Sequence, residues 1–463
     1  MKNKKAILQR IAYSRFLKNV YKRELRHHAR RKAHERYLIL ISRIEGAISY
    51  EEVIDKYLPP NISYLLNCEK SDFYFSDIGK IEVSDNNVLP KVFSIIDNPS
   101  ESFQFIRSLI FCLLSQKYKN VKIDYSGCEH IDLGTQVLLD VILRDILNFF
   151  KVLRRFNMLF VQDLQGVHIH NNNIKKMLFS VGSPSIHTNK TVLFKDIIPY
   201  KLCVHSRGSN PNASRIIEQK DVDTTTLVDY VLDCLKRLKR KLTPEKIDNL
   251  CTVIGEILIN AEEHSTTGYR FSIGYFHEFN AKDKHFGIFR LVIMNLGKTI
   301  YEKFKDPDCP NKDIVDQMTK LSETYTKKRF FQSKEFEEET LWTLYALQEG
   351  VTSVPITAYI KRGNGSIQFI ENFFNMKGVD SAGDLSRMNI LSGNASIFFD
   401  GQYQITEKYI AGEKFKYMTF NSSGNIEDKP DQKYVKFAEN YFPGTLISAE
   451  ILFDENDLID ETK

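Results

Sequence analysis

Apolar residues recur at helical spacing over residues 1–45, where no Pro or Gly interrupts the pattern. Leu8, Ala12, Phe16 and Val20 are each four residues apart and so share one helix face. Lys and Arg fill the other faces. The pattern predicts one long, basic amphipathic helix at 1–45.

The hydrophobic pattern changes twice in the segments that follow. Residues 46–88 read as a short helix followed by an irregular, turn-rich connector around Pro59-Pro60. Helical and extended patterns then alternate, which predicts an α/β domain over 89–204. Its predicted elements are a helix at 103–116, a strand at 121–125, a helix ending near 155, and strands at 158–161 and 191–194.

Residues 205–463 are predicted to form the last domain, with 205–220 as a linker or strand entry. Thr243 and Pro244 mark a helix start, because Thr is a favoured N-cap and Pro is tolerated in the first turn. The remaining pattern predicts strands at 271–279 and 285–294, a helix at 366–376, a strand pair at 388–399 and a strand at 446–453.

The charge is distributed unevenly. Of the net charge of +5, residues 1–43 contribute +12 and the rest of the chain −7. A basic amphipathic helix can bind nucleic-acid phosphates, an acidic lipid surface or an acidic protein, or it can dock on its own chain. These alternatives stay open, with the nucleic-acid reading assigned to residues 1–43.

The seven cysteines lack a Cys-x-x-Cys pair and stand in apolar contexts, which favours reduced thiols. No apolar run reaches the length of a membrane span, and no apolar signal core follows the basic start. We therefore expect a cytoplasmic protein without a membrane span.

Glu256 and Asn260 are four residues apart in a helical pattern and therefore leave the same helix face. An amide oxygen can ligate Mg²⁺, and a neighbouring carboxylate can orient or deprotonate a water molecule. This pair is the clearest candidate for chemistry in the chain.

The stretch Glu256-Ile-Leu-Ile-Asn260-Ala-Glu-Glu-His264 resembles the N box of the GHKL superfamily of ATPases and kinases. A Glu at its first position is most similar to the hydrolytic members and to the anti-sigma-factor serine kinases. The resemblance implies an ATP site in which Glu256 activates the attacking group and Asn260 binds Mg²⁺.

Further elements follow in the superfamily's order. Asn295-Leu-Gly297-Lys-Thr299 stands where the family has Asp-x-Gly-x-Gly, so Asn replaces the adenine-binding Asp and Thr replaces the second Gly. A lid region is expected at about 303–365. The ATP-binding positions that the resemblance implies are Asn260, Asn295, Gly297, Gly350, Thr352, Arg362, Gly363, Asn364, Gly365 and Thr445.

The segment 121–135 resembles the STAS-like domains of anti-anti-sigma factors. Signalling members carry a phosphate-accepting Ser after the Asp of this turn, whereas Leu133 follows Asp132 here. The resemblance implies a degenerate STAS-like domain that serves as a scaffold or docking surface.

The expected fold is therefore α/β (α+β). A GHKL-type sandwich, with a mixed sheet and helices on one face, would follow a STAS-like domain and a basic helix. The expected function is a Mg²⁺-dependent ATPase or a protein-kinase-like regulator with a protein partner. The alternatives are a switch that binds ATP without hydrolysis, and a nucleic-acid-associated regulator or defence component. The sequence leaves the oligomeric state open.

Overall fold

The computed structural model describes residues 49–74, 84–186, 194–206, 213–238, 240–241, 243–263, 265–281, 284–327, 334–353, 363, 365–376, 386–410, 413–453 and 459–460. The helix predicted at 1–45 and its nucleic-acid contact lie outside these ranges. Within them the chain is a mixed α and β protein with parallel and antiparallel sheets. No described helix is long and apolar enough to cross a membrane.

The first group of elements, here called the N-terminal module, contains a parallel sheet of order β1-β3-β5. Its helices pack around that sheet through a continuous apolar core. The elements are α1 (Tyr50–Tyr57), α2 (Pro60–Asn67), β1 (Asn86–Val88), β2 (Val92–Phe93), α3 (Pro99–Leu114), β3 (Asn120–Asp124), β4 (His130–Ile131), α4 (Leu133–Arg155), β5 (Asp163–Val167) and α5 (Asn172–Val181).

The second group contains a five-stranded sheet of order β10-β13-β9-β8-β6. The elements are β6 (Ile197–Ser206), α6 (Ala213–Arg237), β7 (Arg240–Lys241), α7 (Pro244–Glu263), β8 (Tyr269–Ala281), β9 (Lys284–Leu296), α8 (Ile300–Lys305), α9 (Lys312–Thr326), α10 (Glu338–Ala346), α11 (Gly365–Met376), β10 (Arg387–Phe399), β11 (Thr406–Ile410), β12 (Glu413–Tyr417), β13 (Val435–Phe453) and β14 (Ile459–Asp460).

The five-stranded sheet differs from the predicted mixed sheet, because all of its neighbouring strands run antiparallel. The two residues between β8 and β9 leave room only for a hairpin connection. Its edge strand β6 begins at Ile197, ahead of the expected domain boundary at 205. The sheet therefore begins earlier in the chain than the sequence pattern indicated.

The helices of the second group lie on one face of this sheet, as expected, and helices of the N-terminal module cover the other face. We call the two sides the α7 face and the α4 face after the helices packed on them. The α7 face lies against α6, α7 and α11, and the α4 face lies against α4 and α5 of the N-terminal module. Because side chains alternate along a strand, neighbouring residues of β13 belong to different layers.

Several predicted elements are confirmed, among them α3, β3, α4, α7, β8, β9 and α11. The strand predicted at 158–161 is wrong, since the next strand is β5. The pair predicted at 388–399 is one strand, β10, in which a bulge around Gly393 (φ +60°) replaces the expected turn. The strand predicted at 446–453 is the last part of the longer β13. Residues 213–220, predicted as a linker, open the helix α6.

The predicted lid region at 303–365 contains two helices with buried faces. In α10, Leu341 and Trp342 are almost fully buried. The Trp342 indole donates a hydrogen bond to the Ser322 hydroxyl of α9 at 3.1 Å. This packing joins α9 and α10 to the core of the α7 face.

Candidate functional site

The helix α7 carries the Glu256 and Asn260 pair. Ile254, Ile257 and Leu258 are buried against the sheet, which fixes the helix by its apolar face. Asn260 is half-buried, and its carboxamide makes no hydrogen bond with the residues that the structure describes. Its oxygen is therefore available to a ligand. Glu256 lies within α7, but its side chain is not among those that the structure describes.

Asn295, at the end of β9, connects α7 to β13. Its amide nitrogen donates to the Ala261 carbonyl at 2.8 Å, and its amide oxygen accepts from the Thr445 N–H at 3.1 Å. The side chain is 1% exposed. Both ends of the carboxamide thus have protein partners, and an adenine amino group would need the second lone pair of the oxygen.

Hydroxyl groups link Thr445 to Ser392 on the neighbouring strand β10. The Thr445 hydroxyl and the Ser392 hydroxyl lie 3.0 Å apart, and Ser392 also donates to the Gly444 carbonyl at 3.1 Å. The same Ser392 oxygen accepts the Ile300 N–H at 3.0 Å. Thr445 is therefore held at the junction of β13, β10 and α8.

The segment Asn295–Thr299 leaves the sheet through Gly297. Its φ of +154° suits glycine, and its N–H donates to the Pro443 carbonyl at 3.2 Å. Thr299, which stands at the second Gly of the motif that this segment resembles, is the N-cap of α8. Its side chain accepts from the Glu302 N–H, and Glu302 returns a bond to the Thr299 N–H, completing a capping box.

Two glycine turns meet next to each other. The Gly350 N–H donates to the Gly363 carbonyl at 3.0 Å. Both residues have positive φ, +80° and +99°, and a Cβ on Gly363 would lie 2.9 Å from the Gly350 carbonyl carbon. Only glycine fits this close approach. The contact brings together residues of two predicted motifs, 13 positions apart in the chain.

The helix α11 begins at Gly365, directly after this turn, and packs against α7. Thr352 is buried, and its carbonyl accepts from the Asn311 amide at 2.6 Å. Arg362, Asn364 and His264 lie outside the described residues.

Sequence reasoning missed a buried ionic cluster beside Asn295. Arg270 lies opposite Asn295 in the sheet register, and its guanidinium binds the Asp223 carboxylate of α6 at 2.7 Å. The two side chains are 1% and 5% exposed. His205 is the register partner of Arg270 on β6, and its Nδ1 lies 3.7 Å from Asp223.

The polar residues form a row across all five strands of the sheet on the α7 face. Asn295 and Thr445 were already candidates from the motifs, and for the rest of the row the sequence signal was the lone Arg within the apolar pattern of β8. In register order the row is His205, Arg270, Asn295, Thr445 and Ser392.

The described residues contain no group of three or more His, Cys, Asp and Glu side chains that could hold a metal ion. The Mg²⁺ predicted at Asn260 would therefore depend on that amide oxygen, on water and on the phosphates of a bound nucleotide. Near the ionic cluster, burial raises the pKa of the Cys203 thiol. This thiol is thus kept protonated rather than offered as a ligand.

Comparisons with protein-family models, curated proteins and solved structures found no match for this chain. The motifs and the contacts between them are therefore the basis for any functional proposal.

Proposed function

We propose that the α7 face of the sheet binds Mg²⁺–ATP near the C-terminal end of α7. The observation that carries the proposal is the Asn295 carboxamide, which joins Ala261 to Thr445. Asn260 immediately precedes Ala261. Three motifs separated by up to 185 residues are thus neighbours, in the combination that the GHKL resemblance implies.

The Gly350–Gly363 contact supports the phosphate end of the site. A Gly-x-Gly turn that opens α11 presents backbone N–H groups and the positive helix end, which favour an anion. Arg362 and Asn364 would complete this turn. Asn260 would ligate Mg²⁺, and Glu256 would polarise the attacking water or hydroxyl.

On this basis the protein is a Mg²⁺-dependent ATPase or a kinase-like regulator of a protein partner. The N-terminal module, whose segment 121–135 resembles a STAS-like domain, would serve as the docking surface for that partner. Thr135, the hydroxyl nearest the missing phosphate acceptor, is fully buried, accepts the Ile95 N–H at 2.7 Å and donates to Asp132. This environment favours a structural hydroxyl over a phosphate acceptor.

A second candidate is a switch that binds ATP without turnover. The buried, doubly bonded Asn295 favours it, because a neutral amide contacts adenine without charge assistance. The residue after Thr445 in β13, Leu446, packs against Gly134 of α4. A nucleotide-dependent shift of Thr445 would therefore be passed to the N-terminal module.

The test compares ATP binding and phosphate release for wild type, Glu256→Ala and Asn260→Ala, with and without Mg²⁺. Asp248→Ala, an exposed carboxylate on the same helix, is the matched control. An enzyme loses turnover but keeps ATP binding in Glu256→Ala, and it loses the Mg²⁺ dependence of binding in Asn260→Ala.

ATP binding without phosphate release or phosphotransfer in wild type would establish the switch. If neither ATP nor ADP binds at millimolar concentration, the proposed site is wrong in both forms.

A further inference from the structure

A cavity of about 340 Å³ separates part of the α4 face from the N-terminal module. It lies on the opposite side of the sheet from the proposed nucleotide site. One wall consists of β8, β9, β10 and β13, and the other of residues 96–97, 129–133 and 171–177. Cavities of this size at domain interfaces are frequent small-molecule sites.

The sheet wall carries a charged row in register. Glu450 of β13 lies between Arg290 of β9 and Arg387 of β10, and both guanidiniums contact its carboxylate, at 2.5 and 3.2 Å. Tyr275 flanks the row, with its ring 5.0 Å from the Arg290 guanidinium. Two guanidiniums against one carboxylate leave a net positive charge on this wall.

Asn389 lies on the same wall, paired with Ser448 in the neighbouring row. It is 7% exposed and lines the cavity, yet its carboxamide makes no hydrogen bond with any residue in the described ranges. Its polar atoms face the cavity and can be satisfied there by water or by a ligand.

The opposite wall contains the first residues of two helices. The helix α4 begins after Asp132, and α5 begins after Asn171. Helix N-terminal ends carry partial positive charge and N–H groups without partners in the helix. The Asp132 carboxylate caps the α4 end and offsets its partial charge, so of the two ends only that of α5, capped by the neutral Asn171, adds to the positive potential of the sheet wall.

The carboxylates of that wall already have partners within the module. Asp132 accepts the Thr135 N–H at 2.8 Å, and Asp97 accepts the Ser94 hydroxyl at 3.3 Å. Glu129 forms an exposed ion pair with Lys91 at 3.2 Å. Because Asp132 and Asp97 are bonded to neutral donors, the positive charge of the cavity is confined to the sheet wall, where Arg290 and Arg387 share one carboxylate.

We propose that this cavity binds a small organic anion. Its carboxylate or phosphate lies against Arg387 and Arg290, and a second polar group bonds the Asn389 carboxamide. This site is separate from the proposed ATP site, since the sheet stands between them.

The experiment titrates the full chain with inorganic phosphate, with citrate and, at equal ionic strength, with choline chloride. Calorimetry and thermal unfolding give the affinity. Wild type is expected to bind one of the anions and not choline, and the tighter anion distinguishes a phosphate from a carboxylate ligand. Arg387→Gln and Asn389→Leu should each weaken binding about tenfold or more, equivalent to about 1.4 kcal/mol.

Arg154→Gln, at an exposed position near the end of α4, is the matched control and should bind as wild type does. Asn389→Ala replaces Asn389→Leu if the latter does not fold. Repeating the titration in Asn260→Ala separates this cavity from the proposed nucleotide site. Binding that is equal in Arg387→Gln and wild type, equal binding of choline, or no anion binding would overturn the proposal.

Discussion

The two faces of the five-stranded sheet place polar rows in different surroundings. On the α7 face, Arg270, Asn295 and Thr445 are bonded to α6, α7 and neighbouring strands. On the α4 face, Arg290 and Glu450 border an open cavity. The rows are five residues apart along β8, which is about 16 Å. The first row therefore holds neighbouring elements together, whereas the second has fewer protein partners and faces open space.

The largest difference between the faces is expected for their arginines. Arg270→Leu leaves the Asp223 carboxylate buried without its guanidinium, which should lower the free energy of unfolding by about 3–5 kcal/mol. Arg290→Leu removes a partly exposed pair and should cost about 1 kcal/mol. Chemical denaturation measures both. The double variant Arg270→Leu/Asp223→Leu, which leaves no unpaired charge, should recover most of the stability lost in Arg270→Leu. Equal losses in Arg270→Leu and Arg290→Leu would mean that the two rows do not differ as described.

The layer behind the α4 face should respond to pH. Burial raises the pKa of Asp140 in α4 to about 7 from 3.8, although hydrogen bonds from Ser183 and Gln136 oppose the shift. The folded state thus holds a proton that the unfolded state releases. Its contribution to stability is complete below about pH 4 and is lost as pH rises towards 7.

Wild type should lose on the order of 2 kcal/mol relative to Asp140→Asn between pH 5 and pH 7. An amide oxygen can accept both hydrogen bonds without titrating, so Asp140→Asn is the reference in denaturation across this range. Parallel pH profiles for the two proteins would contradict the expected ionisation.

Asn295→Asp tests whether the α7 row needs an amide. Asp is the residue of the GHKL motif that this segment resembles, but its carboxylate cannot donate to the Ala261 carbonyl, so we expect a loss of about 1–3 kcal/mol. Asn389→Asp on the α4 face should cost less, because no described protein group accepts from that amide. Tighter ATP binding by a fully stable Asn295→Asp would show that the Ala261 contact is dispensable.

The smallest effect is expected at the start of α8. Thr299→Ala removes the N-cap and should cost about 1 kcal/mol, whereas Thr299→Gly should cost less than Ala. Ser49→Ala, in the exposed capping box of α1, is the reference. A negligible loss in both alanine variants would show that neither cap matters for stability.

Sequence patterns predicted the elements with strong periodicity and missed those decided by packing. The helix α7 follows from its N-cap and its apolar spacing. In contrast, α6 contains the run Asp221–Thr226, whose β-branched and cap-forming residues have low helix propensity. Burial of Leu227 and Val231 overrides that propensity. Local pattern alone could not reveal this tertiary contribution.

The candidate site was similarly predictable in part. The motif order assigned Gly350 and Gly363 to one expected site, and the two residues do make a backbone contact. The register that aligns Arg270 with Asn295 depends on strand pairing, which no local motif encodes. The N-terminal module on the other face of the sheet was also unforeseen. Apolar alternation indicates that a strand face is buried, but not by which helix.

The alternation along β13 also limits how this strand can change in length. Thr445 and Ile447 belong to one layer, and Leu446 and Ser448 to the other. Deleting one residue here would move every following side chain into the opposite layer. Insertions or deletions should therefore be tolerated in pairs or outside the strand, so the drift of this segment during evolution should proceed by substitution.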